Sequence, residues 1–416
     1  MERIVLAYSG GLDTSVAIPW LTEHYGASVV AVTLNLGQAE RLEGVRERAL
    51  LAGAAAAYVL DVEQEFAEEY VLPSLQAGAM YEDRDPLATA LGRPLIVKKL
   101  VEIAHAERAG AIAHGCTGKG NDQVRMDVSA RALDPSLAVV APARAWRMTR
   151  AEAIEYAVAR GVPVPVTRAS PYSTDENLWG RSIECGVLED PWVEPPEDAF
   201  ALTRPGSSCP DHPAHLELTF EAGVPIEVNG VALPLVELVR SVATIAGVHG
   251  VGRIDMVANR LVGIKSREVH EAPAAVVLHA AHRELVSLVC AKELLRLERQ
   301  LATAYADLVY NGLWFTPMRE AIDAFVATIQ PRVTGEVRLR LSKGECRIVG
   351  RRSPHALYDR SLATHDSGDV FDHAAAEGFV KLWGLPVETA ARQAVKRAGP
   401  AASGEMAAEQ PPVAAA

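Results

Sequence analysis

Between residues 1 and 167 the chain alternates short β-branched runs with longer stretches of helical spacing. Strands that alternate with helices across short turns predict a parallel sheet with helices on both faces. The predicted strands are 4–7, 28–34, 56–60, 111–114 and 138–141, and the helical patterns include 13–23, 40–51 and 94–108. Because ligands of such sheets bind at the carboxyl ends of the strands, we expect a site in the loops that follow them.

The loop after the first predicted strand has the composition of an anion-binding turn. It reads Tyr8-Ser9-Gly10-Gly11-Leu12-Asp13-Thr14-Ser15 and then opens a helix. Its glycines allow the backbone to approach an anion, and hydroxyl groups and the helix N-terminus supply donors. Asp13 is expected either to cap the helix or to hold the magnesium that accompanies a polyphosphate. No lysine follows the second glycine, so this is not a Walker loop, and a plain strand-to-helix turn is the alternative interpretation.

A second glycine-rich loop follows the fourth predicted strand. It reads His114-Gly115-Cys116-Thr117-Gly118-Lys119-Gly120-Asn121-Asp122-Gln123-Val124-Arg125. Lys119 and Arg125 offer cations, and Arg125 can clamp a carboxylate or phosphate with two N–H groups. We expect both loops to face one another across one crevice. Cys116 is expected to be a packed small residue rather than a nucleophile, because no His–Asp pair is evident beside it.

Length and charge limit the classes of function. A chain of 416 residues predicts two or three domains, and a net charge of −12 argues against a large surface for nucleic acid or an anionic membrane. Five cysteines with no CxxC pair indicate a reducing compartment and no zinc site. The start shows no signal-peptide pattern, and no apolar run approaches the roughly 20 residues of a membrane helix. We therefore expect a cytoplasmic protein.

The pattern changes beyond the proline-containing stretch 163–165. Predicted strands at 216–220, 336–341 and 345–349 are mixed with a long helix at 273–310, and 372–383 has helical apolar spacing. The tail is rich in Ala, Pro and Glu and is predicted to be disordered. The predicted domains are a nucleotide-binding α/β domain at 1–167, an α+β domain at 168–371, a C-terminal helix at 372–397 and a tail at 398–416.

Together, these motifs resemble those of a known family. The first loop resembles the ATP-pyrophosphatase loop Ser-Gly-Gly-x-Asp-Ser/Thr, which asparagine synthetases, GMP synthetases, tRNA thiolases and argininosuccinate synthases share. The second loop resembles the signature of argininosuccinate synthases. Further segments match that family in the expected order over residues 1 to 386: 171–182, 184–191, 250–255, 263–268 and 310–314.

The resemblance implies a ligase that uses ATP with Mg²⁺ and has no prosthetic group or structural metal. Such an enzyme transfers AMP to the ureido oxygen of citrulline, and the amine of aspartate then displaces AMP to give argininosuccinate. It also implies an ATP-pyrophosphatase (HUP-like) parallel-sheet domain, a synthetase domain and a C-terminal helix that joins subunits of a homotetramer.

Site roles follow from the matched positions. Asp122 is expected to position the amine of aspartate, and Asp13 to act in the phosphate loop. The positions implied for ATP are Ala7, Tyr8, Ser9, Gly10, Gly11, Leu12, Asp13, Thr14, Ser15, Leu34 and Gly115; those for aspartate are Thr117, Asn121 and Asp122; those for citrulline are Asn121, Arg125, Ser173 and Ser182.

The acceptor positions depart from the family pattern. Asp85 and His270 stand where the family has tyrosines, Ala258 where it has glutamate, and Ala90 where many members have serine. Loss of a carboxylate that pairs with an ammonium group is costly in a buried site.

Two hypotheses follow: Asp85 replaces the lost glutamate in a citrulline enzyme, or the chain is a specialised paralogue with another urea- or amide-bearing acceptor. A non-catalytic nucleotide-binding regulator is a third hypothesis. A tRNA thiolase and an amidotransferase are disfavoured, by the acidic charge and by the lack of a glutaminase domain.

Overall fold

The computed structural model describes residues 2–38, 42, 44–146, 148–163 and 172–398. Within this part the chain forms two compact units, which divide after Leu357. The predicted boundary at 167/168 and the predicted tail from 399 onward lie outside the described residues. Among the described residues, no helix combines the length and the apolar character needed to cross a membrane.

The first five strands form a parallel sheet, as the alternating pattern predicts. They are β1 (Arg3–Ala7), β2 (Ser28–Asn35), β3 (Ala56–Asp61), β4 (Ala111–Ala113) and β5 (Ala138–Val140), in the order β3-β2-β1-β4-β5. Ile4 is in register with Val29 on one side and with Ala111 on the other, so β1 is central. The loops that follow β1 and β4 therefore leave the sheet side by side.

Helices cover both faces of this sheet. Consecutive residues of β1 belong to different cores: Val5 packs into one hydrophobic cluster, and Ile4 and Leu6 pack into another. Successive side chains of a strand point to opposite faces, so both faces are buried. The helices of this region are α1 (Leu12–Tyr25), α2 (Val45–Leu51), α3 (Glu63–Phe66), α4 (Leu72–Gln76), α5 (Ala88–Ala106), α6 (Asp122–Leu133), α7 (Pro142–Ala145) and α8 (Arg150–Ala159), with a π-helical segment at Ala67–Val71.

The second region contains two antiparallel sheets. One has the order β11-β12-β7-β6 and consists of β6 (Ser173–Asn177), β7 (Gly180–Glu184), β11 (Arg253–Asn259) and β12 (Lys265–Glu271). The other has the order β10-β9-β8-β13-β14 and consists of β8 (Ala214–Glu221), β9 (Val224–Val228), β10 (Val231–Ala232), β13 (Gly335–Ser342) and β14 (Glu345–Arg352).

The prediction of one long helix over 273–310 is wrong. The segment forms α10 (Pro273–Val289) and α11 (Lys292–Tyr310), preceded by α9 (Leu235–Val248) and followed by α12 (Pro317–Ile329). Cys290 and Ala291 have extended backbone with ψ of 137° and 159°, which ends one helix and starts the next. Neither residue is glycine or proline, so the break carries no local signal.

The unit from 358 onward contains α13 (Arg360–Ala363) and α14 (His373–Ala398). The predicted helix at 372–397 therefore corresponds to α14. Large apolar side chains on it are exposed, including Phe379, Val380, Leu382 and Trp383, and the rings of Phe379 and Trp383 are stacked.

Candidate active site

The loop after β1 turns sharply into α1. Gly10 has a φ of +79°, which disfavours any residue with a side chain, and Gly11 is the residue before the helix. The carbonyl of Tyr8 accepts a hydrogen bond from the Thr33 hydroxyl on β2 at 2.7 Å. The start of the loop is therefore fixed to the neighbouring strand.

Hydroxyl groups hold the loop in shape. Ser9 Oγ lies 3.0 Å from Thr14 Oγ1, and it accepts from the N–H of Gly11 at 3.3 Å. The Tyr8 hydroxyl lies 3.0 Å from Ser15 Oγ. The predicted ATP positions from Tyr8 to Ser15 thus form one hydrogen-bonded turn at the N-terminus of α1, where unpaired N–H groups favour an anion.

Asp13 does not cap the helix. Gly11 occupies the cap position without a side-chain hydrogen bond, and Asp13 lies one residue inside the first turn, where it is exposed. The prediction that Asp13 caps the helix is wrong. The helix begins at Leu12, so the cap position falls on Gly11, two residues before Asp13. An acidic side chain in a first turn still interacts favourably with the helix dipole.

The two glycine-rich loops meet, as expected from neighbouring parallel strands. A Cβ added to Gly115 would lie 3.1 Å from Cγ2 of Thr14, so the loop after β4 rests against the start of α1. Leu34, the other predicted backbone contact for ATP, is buried near the end of β2. Ala7, Leu34 and Gly115 thus lie at the carboxyl ends of three adjacent strands.

A His–Asp pair stands beside Cys116, contrary to the expectation that none does. His114 is almost fully buried, its Nε2 lies 2.7 Å from Asp127 Oδ1, and its Nδ1 accepts from the backbone N–H of Cys116 at 3.2 Å. The imidazole therefore fixes the loop backbone rather than the thiol. Burial, with a contribution from Asp122, raises the pKa of Cys116 to about 12. The thiol stays protonated near neutral pH, which agrees with a packed residue.

Asn121 and Arg125 join the second loop to the end of α11. Asn121 donates through Nδ2 to the Tyr310 hydroxyl at 2.8 Å and accepts from the N–H of Leu261 at 2.9 Å. Arg125 donates through Nε to the Tyr310 carbonyl at 2.8 Å, and its guanidinium lies 4.7 Å from the centre of the Tyr310 ring. Gly312, with a φ of +74°, allows this approach, because a Cβ there would lie 2.7 Å from Cα of Arg125.

Asp122 is held between two arginines. It accepts from Arg93 at 2.8 Å and from Arg125 at 2.9 Å, and Arg93 also pairs with Asp175. Burial opposes ionisation of Asp122, but Arg93 and Arg125 outweigh it and lower its pKa to about 2. Asp122 is therefore a fixed carboxylate at neutral pH and a poor general base.

A cleft opens where these elements meet. Several predicted positions line it: Asp85, Ala90, Asn121, Asp122, Arg125, Ser182 and His270. The predicted positions Thr117, Ser173 and Ala258 are not among the residues lining this cleft in the described part of the chain. Thr117 and Ser173 are exposed, and Ala258 is fully buried on β11.

The substituted positions lie close to one another in the fold. Asp85 closes a turn in which its backbone N–H donates to the Tyr81 carbonyl, and the Tyr81 hydroxyl donates to the Asn259 carbonyl at the end of β11. On β12, Ser266 is opposite Ala258 and His270 is opposite Ile254. Opposed residues share a face of a sheet, so Ala258 lies on the face that carries His270.

Known proteins resemble this chain over most of its length. The family models described as Arginosuccinate synthase N-terminal HUP domain and Arginosuccinate synthase C-terminal domain match residues 3–163 and 172–390. An argininosuccinate synthase from Dehalococcoides mccartyi is 55% identical over 94% of this chain and 96% of its own length. Those from Gloeobacter violaceus and Bacillus subtilis are 56% and 54% identical over 92% and 93% of this chain, and 97% and 96% of their own lengths.

The chain belongs to the argininosuccinate synthase family.

In this argininosuccinate synthase family member, residues without a role in the sequence analysis also lie at the cleft and beside the loop after β1. Arg48 on α2 lies beside the phosphate loop, since its Nη2 would be 3.0 Å from a Cβ on Gly10. Thr89, Glu268 and Tyr310 line the cleft, and the Thr89 hydroxyl lies 3.0 Å from Ser182 Oγ. These residues reach the site from separate parts of the chain. Glu268 and Tyr310 lie within the family-like segments 263–268 and 310–314. Glu268 also precedes His270 by two residues on one strand, a spacing that places both side chains on the same face.

Proposed function

We propose that this chain is an ATP-dependent carbon–nitrogen ligase of the argininosuccinate synthase type. It couples citrulline to aspartate with cleavage of ATP to AMP and pyrophosphate. Membership of the family, at 55% identity over 94% of the chain, makes it a ligase of this type. The lining of the cleft supports the roles proposed for Asn121, Asp122, Arg125 and Ser182.

One observation carries the proposal: the contact of Gly115 with Thr14. It sets the anion-binding turn of β1 directly beside the loop that continues into Asn121, Asp122 and Arg125, which line the cleft. A nucleotide held at the first loop and an acceptor held in the cleft would therefore be neighbours. Holding reactants side by side supplies a large part of the rate of a two-substrate reaction.

In the first step, the ureido oxygen of citrulline attacks the α-phosphorus of MgATP. An O–P bond forms, the bond between the α-phosphorus and its bridging oxygen breaks, and pyrophosphate leaves. The N–H groups at the start of α1 and the hydroxyls of Ser9, Thr14 and Ser15 stabilise the negative charge that develops on the phosphates. The exposed carboxylate of Asp13 lies at the same helix end and is proposed to face the magnesium of MgATP.

In the second step, the amine of aspartate attacks the activated ureido carbon and AMP leaves. Thr117, Asn121 and Asp122 are proposed to bind aspartate, with Asp122 orienting its amine. Because its pKa is low, Asp122 fits a fixed hydrogen-bond acceptor for the attacking amine better than a base, and the proton that the amine loses goes to solvent water. Asn121, Arg125, Ser173 and Ser182 are proposed to bind citrulline, although exposed Ser173 would have to approach the cleft.

Location and assembly are part of the proposal. All five cysteines are free, which supports a reducing compartment such as the cytoplasm. The exposed apolar side chains of α14 support assembly into a homotetramer through this helix, since such surfaces usually mark an interface.

The test is pyrophosphate release by the full chain with ATP, magnesium, aspartate and citrulline. Release that needs all four, with argininosuccinate identified by mass spectrometry, is expected. Release with citrulline replaced by another ureido or amide compound, but not with citrulline, would favour the specialised paralogue. No release with any acceptor, despite ATP binding, would favour the regulator. The relatives give no support to either of these alternatives.

A further inference from the structure

Two carboxylates and an imidazole meet in the cleft. One acceptor atom from each of Asp85, Glu268 and His270 lies within 4.8 Å of the other two. Glu268 and His270 are two residues apart on β12 and therefore project from the same face, while Asp85 comes from the turn before α5.

His270 is buried with an unused polar atom. The residue is 5% exposed in total, and its Nε2 has no hydrogen-bond partner among the described residues. Glu268 Oε2 lies 3.7 Å away, beyond hydrogen-bond distance. A buried polar atom of this kind is costly to leave unpaired, so it indicates a ligand.

The carboxylates each keep one oxygen for such a ligand. Asp85 Oδ1 accepts from the N–H of Leu87 at 2.7 Å, and no protein donor within the described residues reaches its Oδ2. Glu268 Oε1 accepts from the Ser266 hydroxyl at 3.4 Å and lies 3.9 Å from Arg260 Nε, and Arg260 pairs with Glu184 at 2.5 Å. No donor among the described residues lies within hydrogen-bond distance of Glu268 Oε2. Burial raises the pKa of Glu268; Asp85 and Glu184 add to the rise, and His270 and Arg125 oppose it.

We propose that Asp85, Glu268 and His270 bind the primary ammonium group of the acceptor substrate. This rests on the proposed function, because it assigns a part of the acceptor site. An ammonium group has three donors and matches three acceptors. Acceptors arranged tetrahedrally around it at hydrogen-bond distance are about 4.6 Å apart. The three atoms all lie within 4.8 Å of one another, and Glu268 Oε2 lies 3.7 Å from His270 Nε2, so all three can surround one ammonium group.

An ammonium site at these residues explains how a chain with alanine at position 258 can bind an amino acid. Ala258 lies on the sheet face that carries Glu268 and His270. The glutamate carboxylate that the family has at position 258 is therefore replaced by the carboxylate of Asp85, which comes from the turn before α5. The acceptor class is then a ureido compound that retains a free primary amine. Arg125 and Ser182, which also line the cleft, are left for its other polar groups.

Calorimetry on the full chain tests this, with a non-hydrolysable ATP analogue present and aspartate omitted. The probes are L-citrulline and 5-ureidopentanoate, which is citrulline without its amino group. We expect citrulline to bind at least about tenfold more tightly, the effect of one charged hydrogen bond or more. Asp85→Asn and Glu268→Gln should each weaken the affinity for citrulline about tenfold and change the affinity for 5-ureidopentanoate less than twofold.

The control is Asp83→Asn, which alters an exposed carboxylate on the same turn and should leave both affinities unchanged. Equal affinity for the two probes, including no binding of either, would overturn the proposal. An equal loss of affinity for both probes in Asp85→Asn or Glu268→Gln would also overturn it. Stoichiometric binding of Zn²⁺ or Mn²⁺ alone, lost in Asp85→Asn, would replace the ammonium site with a metal site.

Turnover separates this proposal from the function itself. Argininosuccinate formation that is insensitive to Asp85→Asn and Glu268→Gln would reject the ammonium site and keep the function. The expected difference between the two probes without any pyrophosphate release would keep the site and reject the function.

Discussion

The side chain of Asn121 donates to the Tyr310 hydroxyl at 2.8 Å, although 189 positions separate the two residues along the chain. Asn121 precedes α6 of the parallel-sheet region, and Tyr310 is the last residue of α11. The Tyr310 ring also stacks on Tyr81, with ring centres 3.5 Å apart. This bond therefore fixes the second glycine-rich loop against the wall of the cleft.

Tyr310→Phe removes this bond and keeps the ring. The variant leaves the Asn121 amide without its buried partner, so we expect the free energy of unfolding to fall by about 1 to 2 kcal/mol and the KM for aspartate and citrulline to rise. Urea unfolding and steady-state kinetics measure both. Tyr358→Phe, at a side chain 67% exposed, is the control and should change neither. Equal effects of the two variants would contradict a role for the bond.

Asp122→Asn should cost stability in a pH-dependent way. The pKa of Asp122 is about 2 in the folded protein and 3.8 ordinarily, a difference that corresponds to about 2 kcal/mol. A lowered pKa stabilises the folded state above the unfolded pKa, and the contribution is lost as the pH falls towards 2. The difference in unfolding free energy between wild type and variant should therefore be constant above about pH 5 and shrink below it.

Urea unfolding at several pH values measures this difference. Asp211→Asn is the control, because Asp211 forms an exposed ion pair with Lys343 and such pairs contribute little. If Asp122→Asn weakens the protein equally at pH 7 and at the acid end of the range, its carboxylate is not held by Arg93 and Arg125 as described.

Gly115→Ala should impair ATP binding more than Gly118→Ala. A Cβ on Gly115 would press against Thr14 at 3.1 Å, closer than the roughly 3.5 Å of an ordinary carbon contact, whereas one on Gly118 meets nothing within 4 Å. We expect the KM for ATP to rise about tenfold in the first variant and less than twofold in the second, with the KM for citrulline nearly unchanged. Steady-state kinetics in ATP decide, and equal effects would show that the two loops do not share the nucleotide.

The strands and the first loop were predictable because their signals are local. β2, predicted at 28–34, runs from Ser28 to Asn35, and a continuous β-branched run is enough to reveal a buried parallel strand. The contact between the two loops was predictable too, since it follows from the position of β1 beside β4 in a parallel sheet. Family membership followed from the motifs and their order along the chain.

The partners across the cleft were not predictable in this way. The contact of Asn121 with Tyr310 depends on how α11 packs, and nothing in the spacing of either segment encodes it. The end of α10 at Val289 was missed because apolar spacing continues through Cys290 into α11. The neighbours of Asp85 also required the fold, because only the fold brings Glu268 and His270 to it and places Ala258 on their face of the sheet.

Replacing Trp383 with aspartate should disrupt assembly if α14 joins subunits. Trp383 is 72% exposed and follows Phe379 by one helical turn, so a charge there would be buried in any interface that the helix forms. We expect sedimentation to show a smaller particle, with helix content retained by circular dichroism. Lys381→Asp is the control at an exposed charged position, and an unchanged mass for Trp383→Asp would remove α14 from the interface.

Arg48→Met tests a cation beside the loop after β1 that the motifs did not indicate. The Arg48 guanidinium lies beside Gly10, with Nη2 3.0 Å from the position of a Cβ there, so a phosphate at this turn would come within its reach. A charged hydrogen bond to a phosphate is worth about tenfold in affinity, and methionine keeps the length of the side chain without the charge. The KM for ATP should therefore rise about tenfold while the KM for citrulline stays within twofold.

Arg46→Met is the matched control, since Arg46 is exposed on the same helix and donates to the Ala57 carbonyl instead. If both variants leave the KM for ATP unchanged, Arg48 supports the turn without contacting the nucleotide, and the phosphates are held by the loop and the helix N-terminus alone.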